Sequence, residues 1–207
     1  MRFFFVRHGQ TDYNAQGRVQ GHIDIPLNEL GRWQAEQVGE RLKSYELGGI
    51  ISSDLARASD TAKAIAAHHS DQTLLTTELL REINYGAFEG MQFPEIESTY
   101  PEEYLQWREG EIDYTPPGAE SIYEQRARGR KALIWVQEHC PDCDVVVVAH
   151  GGILRSLIAN LLDLGIEQQN RLHFDNTSLS VVTKTPRGMA LMLLNDSSHL
   201  KDRSPYP

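Results

Sequence analysis

Three short segments of the chain carry side chains that could do chemistry on an anion. Arg7 and His8 follow the apolar run "FFFV", Arg57 ends the stretch "SSDLAR", and His150 precedes two glycines after "VVVVA". Guanidinium groups bind phosphate oxygens in pairs, and glycines allow backbone N–H groups to approach the same ligand. If the fold brings the three segments together, they form a small basic pocket for a phosphate group. Gly9 is expected to turn the chain sharply away from it.

A pocket that only binds an anion has no need of two histidines. A neutral imidazole can attack phosphorus and form a covalent intermediate, while arginine and a protonated histidine stabilise the negative charge of the transition state. The leaving alkoxide also needs a proton. Glu82 in "REINYGAFEG" is the predicted donor, with Glu89 as the alternative, because a neighbouring phosphate favours a protonated carboxyl group. These residue types predict phosphoryl transfer in two steps.

The elements that must position these side chains alternate between strands and helices. A short continuous apolar run predicts a strand covered on both faces, and apolar residues three and four apart predict a helix. The predicted strands are 2–6, a strand ending at 50–51, 73–76, 145–149, 177–185 and 189–195, and the predicted helices are 28–45, 58–66, 121–139 and 153–164. This order predicts an α/β protein, a three-layer α/β/α sandwich with a mainly parallel central sheet. Ligands of such sheets bind at the carboxyl ends of the strands.

Residues 84–119 interrupt the alternation of strands and helices. They contain four glycines, four of the prolines and two short aromatic-rich pieces, a composition typical of an inserted lid. We therefore expect residues 1–207 to form a single domain in which 84–119 cover the pocket. Substrate specificity is expected at four aromatic residues of this insertion, namely Phe93, Tyr100, Tyr104 and Trp107.

Composition and charge exclude several other classes. A formal net charge of −9 opposes an extended nucleic-acid surface. The apolar runs are too short to span a bilayer, and the N-terminus has no basic segment followed by an apolar one, so a cytoplasmic protein without membrane contact is expected. Cys140 and Cys143 form a C-x-x-C, which can be a redox pair or half a zinc site. Their place between a helix and a strand favours a simple turn.

Other phosphoryl-transfer classes lack their required residues here. Neither cysteine has the downstream arginine that a cysteine phosphatase uses, and the G-x-x-x-x-G-K-[ST] motif of P-loop transferases is absent. Histidines at the short spacings typical of metal-dependent hydrolases are also missing from the sequence. A phosphate-binding module without catalysis would need the arginines but not both His8 and Glu82.

The motifs together resemble a known family. "VRHGQTDYN", "RVQGHIDIPLNELGRWQA", "SSDLARASDTA", "LREINYGAFEG", "PPGAES" and "VVVVAHGGILRSL" occur in the order found in the histidine phosphatase superfamily, which has the phosphoglycerate mutase-like fold. The resemblance extends from Phe3 to Leu157. It implies that the chain uses no metal and no organic cofactor, acts on a small-molecule phosphomonoester, and could be a homodimer.

The resemblance also implies a role for each matching residue. His8 would be the nucleophile that becomes phosphohistidine, and Glu82 would protonate the leaving group and then activate water. The expected phosphate ligands are Arg7, Asn14, Gln20, Gly21, Arg57, His150 and the backbone N–H of Gly151.

Phosphatase and mutase chemistry share this pocket and differ in what surrounds it. Phosphoglycerate mutases carry added basic residues for a second anionic group, whereas 84–119 contains one basic residue, Arg108, among several acids. The sequence therefore favours a phosphatase whose leaving group is not strongly anionic. A cofactor-dependent phosphoglycerate mutase is the alternative.

Overall fold

A six-stranded mixed sheet forms the centre of the protein. The computed structural model describes residues 1–109 and 112–200. The strands are β1 (Arg2–Arg7), β2 (Gly49–Ser53), β3 (Leu74–Thr77), β4 (Val145–Ala149), β5 (Leu179–Thr185) and β6 (Gly188–Asp196), in the order β3-β2-β4-β1-β5-β6. The first four strands in that order are parallel to one another. β5 pairs antiparallel with β1, and β6 pairs antiparallel with β5. The predicted mainly parallel sheet is confirmed.

Helices cover both faces of the sheet because the central strands are apolar on both sides. On one face, Phe3 and Phe5 pack with α6 (Ile122–His139) and α7 (Gly151–Leu161). On the other face, Phe4 and Val6 pack with α2 (Glu29–Leu42) and α3 (Ala56–Ala66). Successive side chains of a strand point to opposite faces, so "FFFV" supplies two residues to each core. The predicted three-layer α/β/α architecture is confirmed.

Several element ends agree with the sequence and others do not. Asn28 caps α2, and a capping box of Ser121 and Glu124 opens α6 at the predicted start. The second strand does not end at Ile51 but continues through Ser53, because Ser52 pairs with both β3 and β4 and Ser53 pairs with β3. The helix predicted over 28–45 ends at Leu42, and the helix predicted over 153–164 ends at Leu161. Asp163 adopts a left-handed φ of 52°, which a helix cannot continue through, and a short helix, α8 (Ile166–Gln169), follows.

The insertion, residues 84–119, packs around a small core of its own. Its described part contains α4 (Phe93–Thr99) and α5 (Pro101–Glu109). Phe88 and Ile96 are fully buried against Val19, which follows the short helix α1 (Asp12–Gln16). The described residues of this satellite core belong to neither of the two cores on the sheet faces. The insertion is held to the loop after α1 by these apolar side chains and by backbone hydrogen bonds from Val19 N to Met91 O and from Gly90 N to Val19 O.

Gly9 has a different role from the turn expected in the sequence. It is not among the described residues with positive φ. A Cβ on Gly9 would overlap the carbonyl oxygen of Gly31 near the start of α2, and a Cβ on Gly31 would overlap Gln10. Both glycines therefore permit close backbone packing, which fixes the chain after β1 against the N-terminus of α2.

The two cysteines lie far from the carboxyl edge of the sheet. Cys140 ends α6, Cys143 follows three residues later, and the two are paired as a disulfide with their Cα atoms 5.7 Å apart. They lie at a turn between α6 and β4 as the sequence predicts, but the disulfide between them was not predicted. Among residues 1–109 and 112–200, no helix has the length and apolar character needed to cross a membrane.

Candidate active site

The candidate site lies where β1 and β4 end side by side. Arg7 pairs with Ala149 in the parallel ladder, so the next residues, His8 and His150, leave the sheet together. Their ring centroids are 5.0 Å apart. His8 borders a cavity of about 300 Å³, which we call the phosphate cavity. The sequence-distant residues predicted to converge at this edge do so.

His8 is held in one tautomer. Its Nδ1 lies 2.7 Å from the carbonyl oxygen of Gly9, which can only accept, so Nδ1 carries the proton. Burial, together with the positive charges of Arg57 and Arg7, holds the pKa of His8 well below its usual range. The imidazole is thus neutral near pH 7, with its lone pair on Nε2. A neutral nitrogen with a free lone pair is what nucleophilic attack requires.

His150 is held in the other tautomer, with its proton on Nε2. Arg57 Nε donates to its Nδ1 at 3.2 Å, which leaves the proton on Nε2. This Nε2 is buried and has no partner among the described residues. Burial and the charge of Arg57 keep the pKa of His150 well below its usual range, so the ring is a neutral donor. One histidine of the pair offers a lone pair and the other an N–H group.

Arg57 is 1% exposed, and all three of its guanidinium nitrogens are engaged. Besides the bond to His150, Nη1 donates to the carbonyl of Ile23 at 2.8 Å and Nη2 to that of Gly21 at 2.7 Å. Burial lowers the pKa of Arg57 to about 10, which still leaves it charged at neutral pH. Each Nη atom has a second hydrogen, so Arg57 can bind an anion while it fixes the loop around it.

Arg7 is oriented toward the same cavity by one backbone contact. Its Nη1 donates to the carbonyl of Phe174 at 2.7 Å. Its Nε is buried and has no partner among the described residues. Burial lowers the pKa of Arg7, although the nearby Glu82 opposes that shift. A buried donor without a partner is costly, so this atom indicates a ligand oxygen in the cavity.

Glu82 borders the phosphate cavity at the N-terminus of α7. Its Oε2 accepts from Gly152 N at 3.0 Å, and its Oε1 accepts from Ile153 N at 3.1 Å and from Ile83 N at 2.9 Å. A Cβ at residue 152 would lie 2.5 Å from Oε1, so the glycine makes room for the carboxyl group. The carboxyl group is therefore fixed beside the cavity by backbone donors.

Glu89, the alternative proton donor, does not border the cavity. Its Oε1 accepts from the backbone N–H groups of His22 at 2.9 Å and Tyr85 at 3.0 Å. It thus connects the loop containing Gly21, which has a left-handed φ of 52°, to the insertion. Glu82 therefore lies beside the cavity, whereas Glu89 stabilises the loop that forms part of the cavity wall.

The remaining predicted ligands also border the cavity. Asn14 Oδ1 accepts from Thr11, and Gln20 Oε1 accepts from Thr11 Oγ1 at 2.9 Å. These contacts orient both side chains and leave each NH₂ group available as a donor. Gly21 and Gly151 contribute backbone to the same wall.

Sequence reasoning missed two parts of the site. The segment before β5 supports β1, since Asn176 Nδ2 donates to the carbonyl of His8 at 2.9 Å and Phe174 accepts from Arg7. Nothing in "HFDNTS" distinguishes these residues from an ordinary loop. Arg155, which borders the cavity, carried a usable signal. It lies one helical turn after Gly151, and residues four apart share a helix face.

A second cavity of about 250 Å³ adjoins the first, and we call it the insertion cavity. Tyr85, Trp107, Gly152 and Arg155 border both cavities. Burial raises the pKa of Tyr85, so its phenol stays neutral. The position of this cavity beside the phosphate cavity and beneath the insertion suits the group to which a phosphate is attached.

In the described part of the chain, no cluster of three or more His, Cys, Asp or Glu residues has the arrangement of a metal site.

Comparison with known proteins agrees with this geometry. Residues 3–197 match the model of the histidine phosphatase superfamily (branch 1). A glucosyl-3-phosphoglycerate phosphatase of Mycobacterium tuberculosis is 38% identical over 173 residues, covering 80% of this chain and 77% of the relative. A probable phosphoglycerate mutase of Yersinia pestis is 36% identical over 209 residues, covering 97% and 95%. The structure of an Entamoeba histolytica phosphoserine phosphatase in complex with 3-phosphoglyceric acid has a TM-score of 0.83 at 27% identity, covering 96% and 98%.

Proposed function

The chain belongs to the histidine phosphatase superfamily and is a phosphoric monoester hydrolase, and from that premise we propose that it hydrolyses small phosphomonoesters through a phosphohistidine on His8. The observation that carries the proposal is the pair of fixed tautomers. His8 presents a lone pair on Nε2, and His150 presents an N–H group 5.0 Å away between ring centroids. A phosphate between them would be attacked by one ring and bound by the other.

The first step transfers the phosphoryl group to the enzyme. The lone pair of His8 Nε2 forms a bond to phosphorus as the ester P–O bond breaks. Glu82, in its acid form, gives its proton to the departing oxygen, so the alcohol leaves neutral. Arg7, Arg57 and His150 donate to the phosphoryl oxygens and stabilise the charge that develops on them.

The second step returns the enzyme to its starting state. Water attacks phosphorus, the P–N bond breaks, and the electron pair returns to His8 Nε2. The Glu82 carboxylate accepts the proton of the attacking water and becomes the acid again. Inorganic phosphate leaves the cavity, and one water has been consumed for each ester cleaved.

Trapping the intermediate tests this proposal. After rapid quenching of turnover with ³²P-labelled substrate, we expect acid-labile, base-stable label on the protein and its location on His8 by peptide mapping. His8→Ala should carry no label, whereas His68→Ala, at an exposed position after the end of α3, should be labelled as the wild type. Steady turnover of the wild type without label on His8 at any quench time would contradict the covalent scheme.

Mutase activity is the second candidate, because one relative that covers nearly the whole chain is named a probable phosphoglycerate mutase. The same phosphohistidine could pass its phosphoryl group to a second hydroxyl in place of water. Formation of 2-phosphoglycerate from 3-phosphoglycerate, with a trace of the bisphosphate added, would reveal it. We expect release of inorganic phosphate to exceed isomerisation.

Activity in excess EDTA, a cytoplasmic location and a homodimer remain predictions.

A further inference from the structure

Arg155 is a cationic side chain that the phosphoryl-transfer scheme does not use. It lies on α7 and borders both the phosphate cavity and the insertion cavity. Its Nε is buried and has no hydrogen-bond partner among the described residues. A buried guanidinium N–H without a partner costs free energy, so the arrangement indicates a ligand acceptor at this place. Its position at the junction places that acceptor on the leaving-group side of the phosphate.

The charges around the phosphate are already balanced without Arg155. A phosphate ester dianion would meet two guanidinium groups, those of Arg7 and Arg57. The two histidines are neutral because their pKa values are lowered. In the proposed first step Glu82 carries the proton that the leaving group receives, so in that step it adds no negative charge. Arg155 therefore leaves one positive charge in excess at the entrance to the insertion cavity.

No described acidic side chain of the insertion cavity neutralises that charge. Glu120 borders the cavity, but its two carboxylate oxygens accept from Arg128 at 2.7 and 2.6 Å. The Tyr114 hydroxyl, also on the cavity wall, is buried and has no hydrogen-bond partner in the part of the chain that the structure describes. The cavity thus offers one unpaired cation and one unpaired neutral hydroxyl. A single negative charge with two acceptor oxygens fits this pair.

We propose that Arg155 binds a carboxylate on the leaving group, so that the preferred substrates are phosphate esters of hydroxy acids. A guanidinium group binds a carboxylate through two parallel hydrogen bonds, and one such pair uses the single excess charge. A second phosphate would bring two negative charges to a cavity that has one unpaired cation. The inference rests on the proposed function of the site. It refines the expectation that the leaving group is not strongly anionic, because the cation comes from α7 and not from residues 84–119.

A matched pair of substrates tests the inference. 3-Phosphoglycerate and glycerol 3-phosphate differ in that a carboxylate replaces a CH₂OH group. A charge-assisted pair is stronger than a neutral hydrogen bond, so we expect the wild type to favour 3-phosphoglycerate by about tenfold or more in kcat/KM. Arg155→Gln should bring the ratio of the two kcat/KM values close to one, and Arg155→Lys should restore part of it. Arg130→Gln, an exposed arginine of α6 bonded to Asn160, should keep the wild-type ratio.

Three outcomes would overturn the inference. These are no preference in the wild type, a ratio that Arg155→Gln leaves unchanged, and an equal loss of both activities in that variant, which would place Arg155 on the transferred phosphate. Calorimetric binding of both esters to His8→Ala protein, with and without Arg155→Gln, gives the same ratio without turnover. A carboxylate preference in binding without hydrolysis by the wild type would contradict the proposed function alone. Hydrolysis of both esters at equal rates would contradict this inference alone.

Discussion

The edge of the sheet and the insertion hold their side chains by different means. His8 and His150 follow adjacent parallel strands whose residues are buried on both faces, and both rings are themselves buried. The insertion packs through Phe88, Ile96 and a few partly buried aromatic residues, while Phe93 and Leu105 are 46% and 55% exposed. The groups proposed to act on phosphorus are thus fixed by the main fold. Arg155 on α7 also belongs to the main fold, whereas the residues that the insertion contributes around the leaving group depend on a small separate core.

This difference suggests how the two tasks are divided. Attack on phosphorus requires the reacting atoms within a few tenths of an ångström of their positions, which side chains on packed strands can provide. A leaving group enters and departs in every cycle, so its cavity is better placed on an element with few apolar contacts. The comparison predicts that changes at the strand edge abolish chemistry, whereas changes in the insertion alter substrate preference.

The largest effect is expected at the strand edge, from His8→Ala. Loss of the nucleophile should lower kcat by about 10⁴-fold or more for every phosphate ester. The measurement is hydrolysis of p-nitrophenyl phosphate and of 3-phosphoglycerate by the same preparation. Residual activity that differs greatly between the two esters would show that attack does not depend on His8 and would break the proposed division.

Glu82→Gln should produce the next largest effect. The amide keeps the size of the side chain but cannot supply a proton, so hydrolysis of alkyl phosphates should slow by roughly 10²–10⁴-fold. In the first turnover, which reports formation of the phosphoenzyme, release of p-nitrophenolate should slow far less, because this group leaves well without protonation. Glu89→Gln is the matched control, because an amide oxygen can still accept from His22 and Tyr85. Similar losses in both variants would mean that the carboxyl group beside the cavity has no special role.

A smaller effect should distinguish the core between the sheet and α7 from the satellite core of the insertion. Leu157 is fully buried in the core between the sheet and α7, and Leu157→Ala should lower the free energy of unfolding by about 2–5 kcal/mol with KM unchanged. Ile96 is equally buried in the satellite core. Ile96→Ala should raise KM for 3-phosphoglycerate several-fold and speed hydrogen exchange within the insertion, with a smaller loss of global stability. Urea unfolding measures the loss of global stability, and hydrogen exchange measures local opening of the insertion. Equal global losses would show that the two cores unfold as one.

The sequence predicted the strand edge better than the insertion, for a physical reason. Parallel strands end at a common edge, so the residues following "FFFV" and "VVVVA" could be placed together from periodicity alone. The position of Arg155 depends on which face of α7 meets the cavity. The support given by Phe174 and Asn176 depends on how the chain enters β5. The spacing of Arg155 to Gly151 indicates the first, but the second does not follow from local pattern, since it results from packing between distant segments.

The choice between Glu82 and Glu89 shows the same limit. Both glutamates lie in "REINYGAFEG", and both precede or flank glycines. Only tertiary contacts distinguish them, because Glu82 accepts from the N-terminus of α7 while Glu89 accepts from the loop that carries Gly21 and from Tyr85. The resemblance to the family selected Glu82, and the geometry gives a structural basis for that selection.

The smallest expected effect is a dependence of stability on pH to which the two buried histidines of the strand edge contribute. The pKa values of His8 and His150 are lowered in the folded protein, whereas an unfolded histidine has a pKa of about 6.5. Below that pH the unfolded chain binds protons that the folded protein does not, so stability decreases as the pH falls and is fully present above it. Each imidazole contributes up to about 1.4 kcal/mol per pH unit.

Urea unfolding at pH 7 and pH 5.5 measures this dependence in matched variants. His8→Gln removes one of the two buried imidazoles and should reduce the loss of stability between the two pH values by about 1 kcal/mol. His68→Gln, at an exposed position, should leave the loss as in the wild type. If His8→Gln showed the full wild-type loss, the ring would not be held neutral in the folded protein. The proposed attack, which depends on a free lone pair on Nε2 of a neutral His8, would then be contradicted.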